Sequence, residues 1–384
     1  MKIADEYFNN CRKISATHEK SLMGRKVRYN LFSREPGVVM GSNKAVNFIR
    51  DRTYGPIRIM GLKDGERFES MEPVLVCEGN FDELVTLETT NLGFLSYSGC
   101  VTAMAEIVEA AQGVPVIDMS ARHFPWQIIE EVSLAAYLGG AAGTSTKAGY
   151  DYVQKWYNPG DKFGLYASLP HAIAAVVAEM AEEEGLYPSV MAARFFHETF
   201  SEKSITVLVD YEGRDMDVAK QAFNLFGDKL FAVRLDTHGG RQMQGTLNSK
   251  SVFQESYFTL KTGRGLNQII SEFNGLVGGL RGAHYFMGNG VTIESVFRMR
   301  DFLDDIGANN VKIIVSSGFN KEKVMAFRMA GAPMDSIGTG SWIRFMMFTA
   351  DITHVWENDR WEHRAKAGRN HQDGNGHKVL FERK

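Results

Sequence analysis

From Val114 onward the chain alternates short, wholly apolar runs with amphipathic stretches. The runs read VPVIDMS, GGAAGTS, FGLYASL, ITVLVD, FAVRLD, VKIIVSS and MDSIGTG, with helical patterns at about 126–138 and 171–184 among them. A strand covered on both faces reads as a continuous apolar run, whereas a half-solvated strand alternates apolar and polar positions. The pattern predicts parallel strands covered by helices, an α/β unit over residues 113–344. Residues 1–112 read differently, as an N-terminal α+β domain: VVMGS, PIRIM and PVLVCEG are short strands punctuated by Gly and Pro, and residues 83–111 are helical. Between about 242 and 289 the alternation weakens, which marks an excursion from the α/β pattern. After Trp342 the chain turns polar, and DITHVWENDRW predicts a hairpin that brings the segment 345–384 back to the first domain.

Composition adds little to this picture. A hydrophobic fraction of 44% and a charged fraction of 23% are those of a folded globular chain. With a net charge of -3 there is no basic footprint for nucleic acid, so phosphate must be met by local groups. The N-terminus MKIADEYFNN lacks the apolar core of a secretory signal, and the apolar stretch 172–180 is too short to span a bilayer. Cys11, Cys77 and Cys100 are distant and odd in number, so a disulfide framework is not expected, and a reduced cytoplasmic enzyme without a membrane partner is. Glycine is enriched, 38 residues against an average share of about 7%, which favours many tight strand-to-helix turns.

Candidate chemistry collects where the apolar runs end, as it does on the C-terminal loops of barrel strands. Those ends carry Arg122, Ser145, Ser168, His171, Asp210, Arg234, Asp236, Ser317, Gly318, Gly338, Thr339 and Gly340. Asp210 and Asp236 each close a buried strand, where an ionised group needs a partner. Ribose hydroxyls and a magnesium ion would suit both, as would capping of the next helix. The SSG and GTG runs bring backbone N–H groups near a phosphate, or form ordinary turns that need positive φ. His171 opens a helix after Pro170, placed to accept or stabilise a phosphoryl group, or simply packed. Arg122 suits capture of a carboxylate, or a surface ion pair. No HxxxH or HExxH pattern indicates zinc.

In chain order, LETTNLGFLSYSG, SARHFP, LGGAAGTST, ASLPHA, VLVD, VRLDT, VSSGFN and GTGSW resemble the motifs of the nicotinate phosphoribosyltransferase family, and DEYF resembles its N-terminal tyrosine motif. The resemblance implies a type II phosphoribosyltransferase: an α+β domain beside an incomplete parallel α/β barrel, with active sites shared across a homodimer or higher homo-oligomer. It implies transfer from phosphoribosyl pyrophosphate to nicotinate, giving nicotinate mononucleotide for NAD salvage, with ATP as co-substrate and magnesium arriving with the substrate. By this resemblance Arg122 holds the nicotinate carboxylate, Tyr7 of a partner subunit stacks on the ring, and Ser145 lines the base pocket. His171 is the phosphorylated intermediate, Asp210, Asp236 and Arg234 serve the ribose and pyrophosphate, and Ser317, Gly318, Gly338, Thr339 and Gly340 hold the 5′-phosphate.

Two positions depart from the family pattern: His123 stands in place of a second basic residue, and Met119 in place of an aromatic. Both keep nicotinamide or another aromatic base in view as acceptor. A quinolinate enzyme would call for more cationic groups near Arg122. The alternative of another class is a non-catalytic module that binds a phosphosugar or nucleotide.

Overall fold

The computed structural model describes residues 2–167, 169–246, 253–279, 282–369 and 376–384. Ser168, parts of the expected excursion and part of the C-terminal segment therefore lie outside the described residues. The chain divides into two units: Met1–Ala105 with Leu134–Gly140 and Ile343–Lys384, and Glu106–Ser133 with Ala141–Trp342.

The second unit is built on seven parallel strands: β1 (Val116–Asp118), β2 (Gly143–Thr144), β3 (Gly164–Leu165), β4 (Ile205–Leu208), β5 (Leu230–Leu235), β6 (Lys312–Val315) and β7 (Ser336–Thr339). Their order in the sheet is β3-β2-β1-β7-β6-β5-β4. A closed barrel would also join β3 to β4. Here β1 pairs β7, Ile337 opposite Val116 and Thr339 opposite Asp118, and the ring stays open at the other side. This is the expected incomplete barrel, and it accounts for the apolar runs: Val116, Ile117, Val207, Val233, Leu235, Ile313, Val315 and Ile337 are all buried. Because the strands are parallel, every strand-end residue falls on one edge of the sheet.

The stretch 242–289 is more regular than its sequence pattern predicts. Phe253–Thr262 and Leu266–Val277 are helices, the second burying Leu266, Ile269 and Phe273 along one face at helical spacing. The other positions of that helix include Asn267, Gln268, Ser271, Glu272 and Asn274, the polar side of an amphipathic helix.

The first unit holds a six-stranded antiparallel sheet, in the order Arg360–His363, Phe348–Glu357, Lys26–Ser33, Pro73–Asn80, Ile57–Gly61, Lys378–Arg383. The expected C-terminal hairpin forms and pairs with Lys26–Ser33, Asn30 opposite Asp351. One expectation is met only in part: VVMGS yields only the two-residue strand Gly37–Val38, because Gly41 turns at φ 93° into the helix Ser42–Arg50 and approaches Phe94 O so closely that a Cβ would lie 2.1 Å away. The stretch 83–111 is helical as expected, in the pieces Phe81–Leu84, a 3-10 turn at Val85–Leu87, Glu88–Leu95 and Ser98–Ala111. Among the described residues no helix is long and apolar enough to cross a membrane.

Candidate active site

Asp210 lies two residues past β4 and is 7% exposed. Its carboxylate faces His171, whose Nε2 is 3.1 Å from both oxygens. An ionised carboxylate only accepts, so His171 Nε2 is the donor of this pair. His171 is the first residue of the short helix His171–Val176, fixed by Pro170 at the cap, so the expected histidine at a helix start is present. Burial pushes the Asp210 carboxyl up from its usual range; His171 pulls it down, and Asp236 adds repulsion. The Asp210 carbonyl accepts from Arg241 Nη2 at 2.7 Å. Arg241 in turn grips Asp215 at 3.0 and 3.1 Å, and Asp215 is fully buried at the start of the helix Asp215–Phe226.

One strand over, Arg234 lies within β5 and Asp236 just beyond it. Arg234 Nη2 donates to Asp236 Oδ2 at 2.8 Å and its Nε to Ser316 Oγ at 3.0 Å. Ser316 follows β6 and donates to Asp236 Oδ1 at 2.7 Å. The three side chains lock the ends of β5 and β6 together, which orients a charge-assisted carboxylate at the sheet edge. The next turn is strained: Ser317 has φ 77° and Gly318 φ 70°. Beneath it, Lys323 is 7% exposed and donates from Nζ to Ser317 O at 2.8 Å.

At the ends of β1, β2 and β7 a buried carboxylate takes the central place. Asp118 accepts from Ser120 N at 3.0 Å, Thr144 Oγ1 at 3.1 Å and Trp342 Nε1 at 3.1 Å, and also from Ser120 Oγ. Burial raises its carboxyl pKa, and these donors pull the other way. The arrangement fixes the loop that carries Arg122, which is exposed and has no carboxylate partner among the described residues. Ser145 follows β2 directly and precedes Thr146, the cap of the helix Lys147–Tyr157.

Gly338 and Gly340 have no positive φ. They are glycine because the Arg122 loop packs onto them: a Cβ on Gly338 would sit 2.5 Å from Met119 Sδ, and one on Gly340 2.7 Å from His123 Cε1. His123 Nδ1 bonds Gly340 O at 2.8 Å. Thr339 is buried, and its hydroxyl donates to Phe319 O at 2.6 Å.

The structure thus brings His171 to Asp210, and Arg234 to Asp236 and Ser316, at neighbouring strand ends. Arg122, Ser145, Gly338, Thr339 and Gly340 stand at the ends of β1, β2 and β7, farther along the same edge. Tyr7 belongs to the other unit, on the helix Glu6–Thr17, and is 60% exposed. Lys323, Arg241 and Asp215 were not singled out from the sequence. Only Asp118 had a legible signal, a carboxylate closing an apolar run.

The comparisons agree with this architecture. Residues 5–99 match the family described as quinolinate phosphoribosyl transferase, N-terminal domain. The crystal structure of nicotinate-nucleotide pyrophosphorylase from Pyrococcus furiosus superposes with a TM-score of 0.69 at 25% identity, covering 96% of this chain and 78% of that one. The chain shares that structure's fold. Human nicotinic acid phosphoribosyltransferase shares the fold, with a TM-score of 0.58 at 14% identity over 92% of this chain and 75% of that one. The nicotinate phosphoribosyltransferase pncB1 of Mycobacterium tuberculosis (strain CDC 1551 / Oshkosh) is 26% identical over 286 residues, 74% of this chain. The chain spans about half the length of that curated relative, 49%.

A magnesium ion is the metal that the motif resemblance implies, and the donor set fits one. Asp210 and Asp236 offer hard oxygen ligands, and Asp236 adds to the cost of charging Asp210, which a divalent cation between them would relieve. Among the described residues no cluster of three or more His, Cys, Asp or Glu could hold a metal by protein ligands alone. Such a site suits an ion held by one or two carboxylates together with substrate oxygens.

Proposed function

We propose that this chain transfers a phosphoribosyl group from phosphoribosyl pyrophosphate to nicotinate, releasing pyrophosphate and giving nicotinate mononucleotide for NAD salvage. The observation that carries the reading is the bonded set at adjacent strand ends: His171 with Asp210, and Arg234 with Asp236 and Ser316, beside the strained turn 316–318. Loss of pyrophosphate builds positive charge at the sugar, and carboxylates held in place before the reaction stabilise it without reorganising. Asp236, pinned on both oxygens, and Asp210 serve that role and orient the ribose hydroxyls. Arg234 steadies Asp236 and lies toward the pyrophosphate. Magnesium, when bound with the substrate, supplies Lewis acidity and offsets the charge of the leaving group. Gly318 and Ser317 N–H groups receive the 5′-phosphate, with the backbone of Gly338, Thr339 and Gly340 closing the same edge. Arg122 pairs with the carboxylate of the base, and the neutral Ser145 hydroxyl tolerates an anionic ring.

Two further elements belong to the same proposal. His171, with Nε2 held by Asp210, is the residue that ATP phosphorylates to couple hydrolysis to transfer. Tyr7 of a second copy stacks on the base, so the working unit is at least a dimer. The match of the N-terminal residues to a quinolinate family favours one second reading, a decarboxylating transfer to quinolinate. One assay separates them. Purified protein is incubated with phosphoribosyl pyrophosphate, magnesium and nicotinate, nicotinamide or quinolinate, with and without ATP, and mononucleotide is measured. Product from nicotinate, increased by ATP, is expected. Product from quinolinate with release of carbon dioxide selects the second reading, and no product from any base leaves a phosphosugar-binding module.

A further inference from the structure

We propose that Lys323 is the positioning residue of the 5′-phosphate site: it holds the peptide between Ser317 and Gly318 so that the Gly318 N–H faces the bound phosphate. This inference deepens the functional reading above and rests on it.

A trans peptide points its C=O and the following N–H in opposite directions. Lys323 Nζ draws the Ser317 carbonyl inward at 2.8 Å, so the Gly318 N–H of the same peptide is turned outward, where Gly318 is exposed. Neither the Ser317 nor the Gly318 N–H donates to protein among the described residues. The conformation is not one serine favours unaided: φ is 77° at Ser317, in the left-handed region that disfavours a residue with a Cβ. Lys323 is itself held on the far side of the turn. Its backbone N–H donates to the Asn320 side chain at 2.9 Å, which caps the helix Lys321–Met329. Its ammonium lies 4.3 Å from the centre of the Phe319 ring, and that residue is fully buried.

The charge balance points the same way. A lysine 7% exposed, bonded to one carbonyl, carries a positive charge that the turn leaves largely uncompensated. Burial pushes it down to about 8, with Asp236 opposing that shift. A phosphate on the Gly318 N–H would sit one peptide away and supply the missing negative charge. Lys323 therefore acts twice, by fixing the donor and by placing a poorly hydrated cation behind it.

The test uses the full chain and ribose 5-phosphate as probe. Calorimetry should show Lys323→Met binding ribose 5-phosphate at least tenfold more weakly than wild type. KM for phosphoribosyl pyrophosphate should rise to match, while KM for nicotinate stays within twofold. Ser317→Gly in the Lys323→Met background should recover part of the loss, since glycine takes the left-handed conformation freely. A direct reading needs no variant: carbonyl-labelled serine with nitrogen-labelled glycine marks only the Ser98–Gly99 and Ser317–Gly318 peptides. One of these amide protons should move downfield with ribose 5-phosphate. Full binding by Lys323→Met, or two unmoved amides in the saturated wild type, overturns the inference alone. A wild type that binds neither ribose 5-phosphate nor phosphoribosyl pyrophosphate overturns the site reading and the inference with it.

Discussion

Replacing Arg241 by methionine keeps most of the side-chain stem and removes the cation from Asp215, a carboxylate with no exposed surface. Asp215 accepts from Arg241 at 3.0 and 3.1 Å, from Gln244 N at 3.2 Å and from Thr237 Oγ1 at 3.4 Å. The last two are neutral donors and do not balance a charge. Breaking a buried pair by removing one partner costs about 3–5 kcal/mol, because the other charge stays behind. The lost bond from Arg241 Nη2 to the Asp210 carbonyl adds about 1 kcal/mol and does not simply sum with the rest, since both share one guanidinium. Urea unfolding should show a midpoint lower by about 1–2 M at a slope of roughly 2–3 kcal/mol/M. Adding Asp215→Asn removes the stranded charge and should return about 2 kcal/mol or more. The reasoning fails if Arg241→Met loses less than about 1 kcal/mol, or if the double variant is no more stable than the single one.

Gly340→Ala places a Cβ 2.7 Å from His123 Cε1 and 3.1 Å from Met119 O, so the exposed histidine should swing out and lose its bond to Gly340 O. We expect a stability loss of about 1–2 kcal/mol and a raised KM for nicotinate through the displaced Arg122 loop; an unchanged KM would detach that loop from the base pocket. The lowered Lys323 pKa, about 8 against 10.5, gives a pH signature. Below about pH 8 both folded and unfolded chains hold the proton and the burial penalty is full; from about 8 to about 10.5 only the unfolded chain holds it, so stability should rise with pH, by up to about 3 kcal/mol. Lys323→Met should lack that rise, and superimposable stability curves would refute the assignment. His171→Ala should abolish stimulation by ATP while some ATP-independent transfer remains; product measured with and without ATP decides it, and retained coupling would take the phosphorylated role from His171.

The barrel was legible because a buried parallel strand has no choice but to read as an apolar run, with its first polar residue at the sheet edge. Asp210 and Asp236 are visible for that reason. The strand Lys26–Ser33 does not read as an apolar run, because Lys26, Arg28 and Asn30 alternate with Val27, Tyr29 and Leu31; Arg28 meets Glu78 at 2.9 Å and the Trp361 ring at 5.0 Å, partners far away in sequence. Gly338 and Gly340 drew notice as turn or phosphate glycines, and the fold adds a further reason for them, room for Met119 and His123. Lys323 was hidden more thoroughly. In NKEKV it reads as one charge on a solvated helix face, and burial comes from the first helical turn folding back beneath the strand end that precedes it. Arg241 reaches the Asp210 carbonyl in the same manner, from the turn after the next strand. In both cases the missed group acts on a backbone carbonyl, which has the same chemistry at every position and so leaves no mark in the sequence. Residues that touch a ligand are constrained by side-chain type and can be read; residues that aim the backbone are constrained by geometry and emerge only with the fold.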